Sequence, residues 1–325
     1  MKISSVDIGT NTVLLLVAEV MDDSVRILAE KQQMPRLGRG VDRDGMLSAG
    51  SIQRVIDSLN ALQTFLETEF PDAAPPIVTA TSAVRDAGNR DDFIALVKEQ
   101  VGWPVRLLSG REEAQLTYRG AQSVLNIDPS KTYAVLDIGG GSTEIATGKG
   151  GLLENAESLD VGSVRFSERY LRDDPPIPAQ IGEARQAIDR AMFPTELAAG
   201  IDIVIGVAGT VTSIAAIDQG MKTYNPEQLN GAILTAEKIT QFLEEFSTTA
   251  SGALEAQYPQ FLKGRSDVIL AGVLILDGFL KKTGVETVTV STGGIRHGVL
   301  MEQINPAGQN AVRLAYDIHK DLFFE

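Results

Sequence analysis

The sequence predicts an α/β protein made of two duplicated domains around a central cleft. The chain has 325 residues, which is more than one hydrophobic core usually serves. Residues 135–144, VLDIGGGSTE, run from a buried strand into three glycines, and residues 6–12, VDIGTNT, repeat the strand, the aspartate and the glycine turn. Asp7 and Asp137 lie 130 positions apart, a period far too long for a solenoid but suited to a duplicated domain.

The paired D-x-G-x-x-x turn resembles the actin, Hsp70 and sugar-kinase superfamily, whose two ribonuclease H-like halves hold a polyphosphate between them. The resemblance implies a fold and leaves the reaction open. We therefore expect an N-terminal actin-like domain over residues 1–125, completed by C-terminal helices at 299–325, and a second actin-like domain over residues 126–298.

Both glycine turns are predicted to bind phosphate. Glycines let the backbone turn tightly and bring N–H groups against an anion, and neighbouring hydroxyls add donors. Asp137 and Glu144 bracket the triple glycine and are hard oxygen ligands of the kind that Mg²⁺ uses when phosphate oxygens complete its shell. A glycine-rich hairpin turn without a ligand is the alternative. The candidate phosphate-binding residues of the two turns are Asp7, Gly9, Thr10, Asn11, Thr12, Gly139, Gly140, Gly141, Ser142 and Thr143.

In the first domain, Arg85 is predicted to lie at the end of a strand. Three strands are expected within residues 2–33, and apolar residues at spacings of three and four predict an amphipathic helix from Ser51 to Phe70. A strand over residues 77–80 then leads into a short helix that carries Arg85. An arginine near the C-terminal end of a strand can reach a ligand of an α/β protein, although a surface salt bridge is the competing account.

Glu113 is a candidate general base. After a strand near residues 105–108, Ser109 and Glu112 have the spacing of a capping box, in which the glutamate folds back onto the start of the helix. Glu113 lies about 100° further around the helix, on the face predicted to point inward. A carboxylate turned inward at a strand-to-helix junction can accept a proton, whereas an exposed helix glutamate is the alternative.

The second domain contributes two further candidate anion sites. Gly162, Ser163 and Arg165 are compatible with a third anion-facing turn, and Arg165 is equally compatible with a helix surface. Gly209 and Thr210 follow an apolar strand and begin a helix, whose N-terminus attracts phosphate or leaves room for a nucleoside.

Two more helices are predicted towards the end of the chain. Residues 266–280 are almost continuously apolar and predict a buried helix that ends at the C-cap signal Gly284. Residues 305–325 are predicted to form one more helix.

Composition excludes several classes of function. A net charge of −14 argues against broad electrostatic binding to nucleic acid or to an anionic membrane. The chain lacks cysteine, an apolar run of membrane-spanning length and a signal-like N-terminus, so we expect a cytoplasmic protein. Glycine turns that bind anions in so acidic a protein require local arginines or a metal ion.

Seven segments in order identify the chain as similar to one family. They are VDIGTNT, TATSAVRDAGN, LLSGREEAQLTYRGA, VLDIGGGSTEI, ESLDVGSVRF, GVAGT and STGGIRHGVL. Together they resemble the exopolyphosphatase and guanosine pentaphosphate phosphohydrolase family, Ppx/GppA, over residues 2–304. The SGREEA and DIGGGSTE segments, about twenty residues apart, form the most specific part of this signature.

The resemblance implies a role for each matching residue. Glu113 is the catalytic glutamate, Asp137 and Glu144 are associated with Mg²⁺ and the attacking water, and Arg85 faces the phosphates. The implied substrates are inorganic polyphosphate or guanosine pentaphosphate. Longer members continue past the IRHGVL segment into further helical domains, so we expect short polyphosphate or the nucleotide to suit this chain better than very long polyphosphate.

Two other functions stay open at this point, together with the oligomeric state, for which a homodimer is one option. An acceptor-dependent kinase of the same superfamily would need an acceptor pocket, for which the sequence has no recognisable signature. A noncatalytic nucleotide-binding switch would have no use for an inward carboxylate at position 113.

Overall fold

Apolar runs separated by glycine turns form two mixed sheets in a computed structural model, which describes residues 1–21, 24–192, 200–305 and 313–317. The first elements in the chain are β1 (Lys2–Ile8), β2 (Val13–Val20), β3 (Val25–Gln33), α1 (Val41–Asp44), α2 (Ala49–Glu69), β4 (Ile77–Ala80), α3 (Ser82–Arg85), α4 (Arg90–Gln100), β5 (Val105–Leu107) and α5 (Gly110–Ser123). The predicted strands of this region are confirmed, and so is the amphipathic helix predicted from Ser51 to Phe70, which is α2.

The second half follows the same alternation. Its elements are β6 (Thr132–Ile138), β7 (Thr143–Lys149), β8 (Leu152–Leu159), α6 (Ser163–Tyr170), α7 (Pro178–Met192), β9 (Ile203–Val207), α8 (Ala208–Asp218), α9 (Pro226–Leu229), β10 (Ile233–Thr235), α10 (Ala236–Thr248), α11 (Ser251–Gln257), α12 (Pro259–Leu262), α13 (Ile269–Thr283) and β11 (Thr287–Val290). The last elements are α14 (Ile295–Ile304) and β12 (Leu314–Tyr316).

The strand orders of the two sheets show the duplication. Within the described residues, the first sheet has the order β12-β3-β2-β1-β4-β5 and the second has the order β10-β11-β9-β6-β7-β8. In each, three antiparallel strands joined by hairpins are followed by two strands that run parallel to the first of them, β4 and β5 in the first sheet and β9 and β11 in the second. Strand β10 is antiparallel to β11. The repeated order confirms the predicted α/β class with two ribonuclease H-like domains.

Each half has its own hydrophobic core. One core lies between the first sheet and α2 and α4, and includes Val6, Leu59 and Phe93. The other surrounds α13, whose residues 269–276 are all apolar and buried. Helix α13 ends at Gly284, which has the left-handed backbone predicted for its C-cap.

The chain divides into two compact units, Met1–Val124 with Ile295–Glu325, and Leu125–Gly294. The sequence-based boundaries lie at 125/126 and 298/299. The whole of α14 therefore groups with the first unit.

The predicted helix over residues 305–325 is wrong where it can be checked. Residues 306–312 and 318–325 lie outside the described residues, but β12 is a strand that pairs in parallel with β3. Leu314 is buried by this pairing, and the strand hydrogen-bonds an edge of the sheet that would otherwise be open. Among the residues that the structure describes, no helix is both long and apolar enough to cross a bilayer.

Candidate active site

The two glycine turns are built in the same way. Strands β1 and β2 close on the pair Ile8 and Val13, and strands β6 and β7 close on Ile138 and Thr143. The first residue of each four-residue turn donates its N–H to the carbonyl of the fourth, from Gly9 N to Thr12 O at 2.9 Å and from Gly139 N to Ser142 O at 3.0 Å. The repeated sequence therefore folds into a repeated turn.

The carbonyl groups of the first turn accept hydrogen bonds from the segment that follows β3. Gly38 N donates to Thr10 O at 2.8 Å, and Arg36 N donates to Asn11 O at 3.1 Å. Because the C=O and N–H of a trans peptide point in opposite directions, the amides of Asn11 and Thr12 point away from this segment. That is the orientation an anion-binding turn requires.

The carbonyl groups of the second turn accept hydrogen bonds from the start of α6. Ser163 N donates to Gly139 O at 2.9 Å, Val164 N donates to Gly140 O at 2.8 Å, and the Nε of Arg165 donates to Gly141 O at 2.6 Å. The amides of the residues after these carbonyls therefore point away from α6. Residues 163–165 support the glycine turn here, and the predicted direct contact of Arg165 with phosphate stays a prediction.

Gly162 makes this support possible. A Cβ atom at Gly162 would lie 2.4 Å from Gly140 O, so only glycine allows α6 to approach the turn this closely. The hydroxyl of Thr143 is also used in the fold, because it donates to Val161 O and the residue is fully buried. Its predicted contact with phosphate stays a prediction.

Arg85 and Glu113 form a partly buried ion pair in the first unit. The Nη1 atom of Arg85 lies 2.9 Å from Oε2 of Glu113 and also donates to Leu108 O at 3.1 Å. Glu113 is 5% exposed, so the alternative of an exposed helix glutamate is wrong. The predicted capping box of Ser109 and Glu112 is present and leaves Glu113 to face inward.

Asp7, Arg85 and Glu113 follow neighbouring parallel strands. Strands β1, β4 and β5 run in the same direction, and the three residues lie at the end of β1 or in the helices directly after β4 and β5. Asp7 is buried and accepts a weak hydrogen bond from Thr79 Oγ1 at 3.4 Å. The carboxyl ends of parallel strands are where α/β proteins bind ligands.

Asp137 and Glu144 are directly opposite each other on β6 and β7 in the second unit. They are 8% and 1% exposed, and Oε1 of Glu144 accepts a hydrogen bond from Ser158 Oγ at 2.6 Å. Two like charges directly opposite in a sheet destabilise it unless a cation lies between them. No group of three or more His, Cys, Asp or Glu suited to a metal occurs in the described part of the chain. Two carboxylates nevertheless fit Mg²⁺, which takes its remaining ligands from water and phosphate.

A partly buried arginine that the sequence did not point to, Arg265, packs against the start of α8. A Cβ atom at Gly209 would lie 2.0 Å from the Nη1 atom of Arg265, so the guanidinium lies against this glycine. Burial lowers the pKa of Arg265 to about 10, and Tyr224 opposes the shift. Thr210, the other candidate here, packs its side chain against Gly272. A lone arginine just before a nearly continuous apolar helix is the signal that could have revealed Arg265.

Backbone strain is concentrated beside the same turns. In the described part of the chain, Arg36 and Ala208 are the non-glycine residues with positive φ, at 53° and 65°. Arg36 donates its N–H to the first glycine turn, and Ala208 directly follows Val207, the register partner of Asp137. Such a conformation costs about 1–2 kcal/mol per residue. Strain of this kind is typical of functional sites.

The fold and the site together define a class of two-unit α/β proteins with twin glycine turns. Residues 16–306 match the Ppx/GppA phosphatase family, and the chain belongs to that family. It is therefore a hydrolase of the phosphatase type.

Relatives of known sequence and structure agree with this membership. The chain is 30% identical over 321 residues to exopolyphosphatase 2 of Mycobacterium tuberculosis, with 92% of this chain and 98% of the relative covered. It is 29% identical to a bifunctional 3-dehydroquinate synthase/phosphatase of Fusobacterium nucleatum, covering 93% of this chain and 46% of that protein. The crystal structure of the Aquifex aeolicus Ppx/GppA family member has a TM-score of 0.79 and 28% identity, with 95% and 99% covered.

Proposed function

We propose that the protein is a Mg²⁺-dependent exopolyphosphatase, which hydrolyses the terminal phosphoanhydride of inorganic polyphosphate and releases orthophosphate. The observation that carries the proposal is the pair of glycine turns whose carbonyl groups accept hydrogen bonds from neighbouring segments, which leaves their amides in the orientation that an anion-binding turn requires. The family and the names of its relatives support the same reaction.

In the proposed mechanism, Glu113 orients a water molecule in line with the terminal phosphorus and accepts its proton. The water oxygen forms a bond to phosphorus while the bridging P–O bond breaks, and the electron pair of that bond leaves with the shortened chain. Arg85 holds the Glu113 carboxylate at 2.9 Å and adds positive charge beside the reacting oxygens. Turn amides bind the preceding phosphoryl groups.

Asp137 and Glu144 are the residues that would hold Mg²⁺. When bound, the ion would neutralise negative charge on phosphate oxygens. We also propose that Arg265, at the head of α8 beside Gly209, adds positive charge to the second unit. Local cations of this kind would allow a protein of net charge −14 to process a polyanion.

Guanosine pentaphosphate is the second candidate substrate, because it presents the same terminal phosphoanhydride to the same groups. The family and its relatives lend no support to an acceptor-dependent kinase or a noncatalytic switch. A cytoplasmic location and action on free polyphosphate rather than on nucleic acid belong to the same proposal.

The test is orthophosphate release with Mg²⁺ from short polyphosphate, long polyphosphate, guanosine pentaphosphate and ATP, measured side by side. We expect release from at least one of the first three without any acceptor. ADP formation that depends on an added acceptor, together with no phosphate from the other substrates, would instead identify a kinase.

A further inference from the structure

Helix α14 lies behind the helix that carries Glu113, and the two approach to backbone contact. A Cβ atom at Gly298 would lie 2.0 Å from the carbonyl oxygen of Leu116, 2.5 Å from its carbonyl carbon and 2.9 Å from its Cα. Backbone atoms of a helix cannot move away singly as the tip of a side chain can. Leu116 is one helical turn after Glu113, so the position of α14 limits the position of the glutamate.

The apolar part of this contact does not fix its register. Leu108, Leu116, Ile295 and Val299 form a small buried cluster between the two helices. Apolar side chains of this kind tolerate small shifts and rotations, because their attraction is not directional. A polar anchor is needed to set where α14 lies.

Arg296 is that anchor. Its Nη1 atom donates to Leu15 O at 2.9 Å on β2, and its Nη2 atom lies 3.4 Å from Oε1 of Glu30 on β3. The carbonyl of Arg296 accepts a hydrogen bond from Ser5 Oγ at 3.0 Å on β1. One residue of α14 is therefore tied to three adjacent strands of the first sheet.

Glu30 makes the anchor unusual. It is fully buried, and neither of its carboxylate oxygens has a hydrogen bond. Burial raises the pKa of Glu30 against the opposing effect of Arg296, and burial lowers the pKa of His297, whose Nε2 lies 3.9 Å from the same carboxylate. A buried ion pair of this kind adds little net stability, whereas it can specify one packing arrangement over others.

We propose that Arg296, held by Glu30, and Gly298 are positioning residues that set the location of Glu113 through α14 and α5. The inference rests on the proposed function, because it assigns Glu113 the role of the base. A displacement of about 1 Å in a reacting group can lower a rate about 10²-fold. The polar contacts of Arg296 with the sheet and the backbone contact of Gly298 with α5 would hold Glu113 to within such a distance.

The first test is Gly298→Ala, with kcat and KM measured well below the melting temperature and normalised to folded protein. We expect kcat to fall by about 10-fold to 10²-fold, while KM changes less than about threefold. Val299→Ala is the matched control, since it truncates a buried neighbour in the same apolar cluster. It should lower the melting temperature and leave kcat within about twofold.

A second test uses Arg296→Lys, which keeps the charge but loses the planar fork that reaches two strands. We expect kcat to fall in the same direction as for Gly298→Ala. The coupling between Arg85 and Glu113 can also be measured, as the difference between the change in melting temperature of the Arg85→Gln/Glu113→Gln double variant and the sum of the two single changes. This coupling should be smaller in a Gly298→Ala background, because the substitution moves the two side chains apart.

If Gly298→Ala and Arg296→Lys both fold and keep the wild-type kcat, and the Arg85–Glu113 coupling is unchanged, the positioning role is wrong. The proposed function would not be affected by that result. Failure of the proposed function would look different, because the wild-type protein would then release no orthophosphate from any substrate.

Discussion

The two glycine turns share a backbone but differ in the strand that follows. Asp7 is opposite Leu14 on β2, whereas the equivalent Asp137 is opposite Glu144 on β7. Duplication therefore supplies the glycine turn twice and the acidic pair once. The ion pair of Arg85 and Glu113 occurs in the first unit. Under the proposed function, metal binding and proton transfer therefore belong to different copies of one fold.

The supports behind the turns differ as well. A loop whose Arg36 has strained backbone binds the first turn, and the N-terminus of α6 binds the second. Each support contains a glycine at its closest approach. At Gly38 the nearest atom to an added Cβ is the methyl group of Thr10, at 2.3 Å, while at Gly162 the nearest atoms belong to the backbone. We therefore expect the second turn to be held more rigidly than the first.

The largest expected effect comes from giving β7 the residue that β2 has at the equivalent position. Glu144→Leu copies Leu14 and removes one carboxylate of the acidic pair. We expect orthophosphate release to fall by at least about 10²-fold, because metal charge stabilisation is worth several kcal/mol. The measurement is steady-state phosphate release at saturating Mg²⁺, with circular dichroism to confirm folding. A fall of less than about threefold would contradict the role of Glu144.

Asp137→Asn and Asp7→Asn separate the two equivalent aspartates. We expect Asp137→Asn to raise the Mg²⁺ concentration for half-maximal activity by about tenfold, a loss of about 1.4 kcal/mol. Asp7→Asn should leave that concentration within about twofold, because its partner is a leucine. Equal shifts in a Mg²⁺ titration of the two variants would show that the acidic pair is not the metal site.

Gly162→Ala and Gly38→Ala compare the supports. We expect Gly162→Ala to lower the free energy of unfolding by about 1–3 kcal/mol, since backbone atoms must move to admit the methyl group. Gly38→Ala should cost less, because the threonine side chain can rotate away. Urea unfolding of both variants measures the difference. The reverse order of stability would mean that the first turn is the more rigid one.

The smallest effect is expected at Ala208. Replacement by glycine relieves a positive φ that costs about 1–2 kcal/mol, less about 0.5–1 kcal/mol of added backbone entropy. We expect Ala208→Gly to leave the free energy of unfolding unchanged or raise it by up to about 1.5 kcal/mol. Ala61→Gly on the exposed face of α2 is the control and should lower it by about 1 kcal/mol. A loss at Ala208 as large as the control would argue against strain there.

Features encoded by near neighbours in the sequence could be predicted. The two turns, the capping box at Ser109 and the C-cap at Gly284 depend on residues a few positions apart, and all are present. The inward orientation of Glu113 followed from helix geometry once Glu112 was assigned to the cap.

Features that depend on distant partners could not be predicted. Strand β12 exists because β3 has an open edge, and no local pattern in the tail records that edge. Arg265 meets Gly209 across 56 positions, and Gly298 meets Leu116 across 182. The sequence contains these residues but not the contacts that give them their roles.

Glu113→Gln is the most direct measurement, because it removes the carboxylate and keeps the shape of the side chain. Orthophosphate release from polyphosphate should fall at least about 10²-fold, the usual contribution of a general base, while polyphosphate binding measured by equilibrium titration is retained. Full activity in the folded Glu113→Gln variant would contradict the assignment of Glu113 as the base and, with it, the proposed division of roles between the two units.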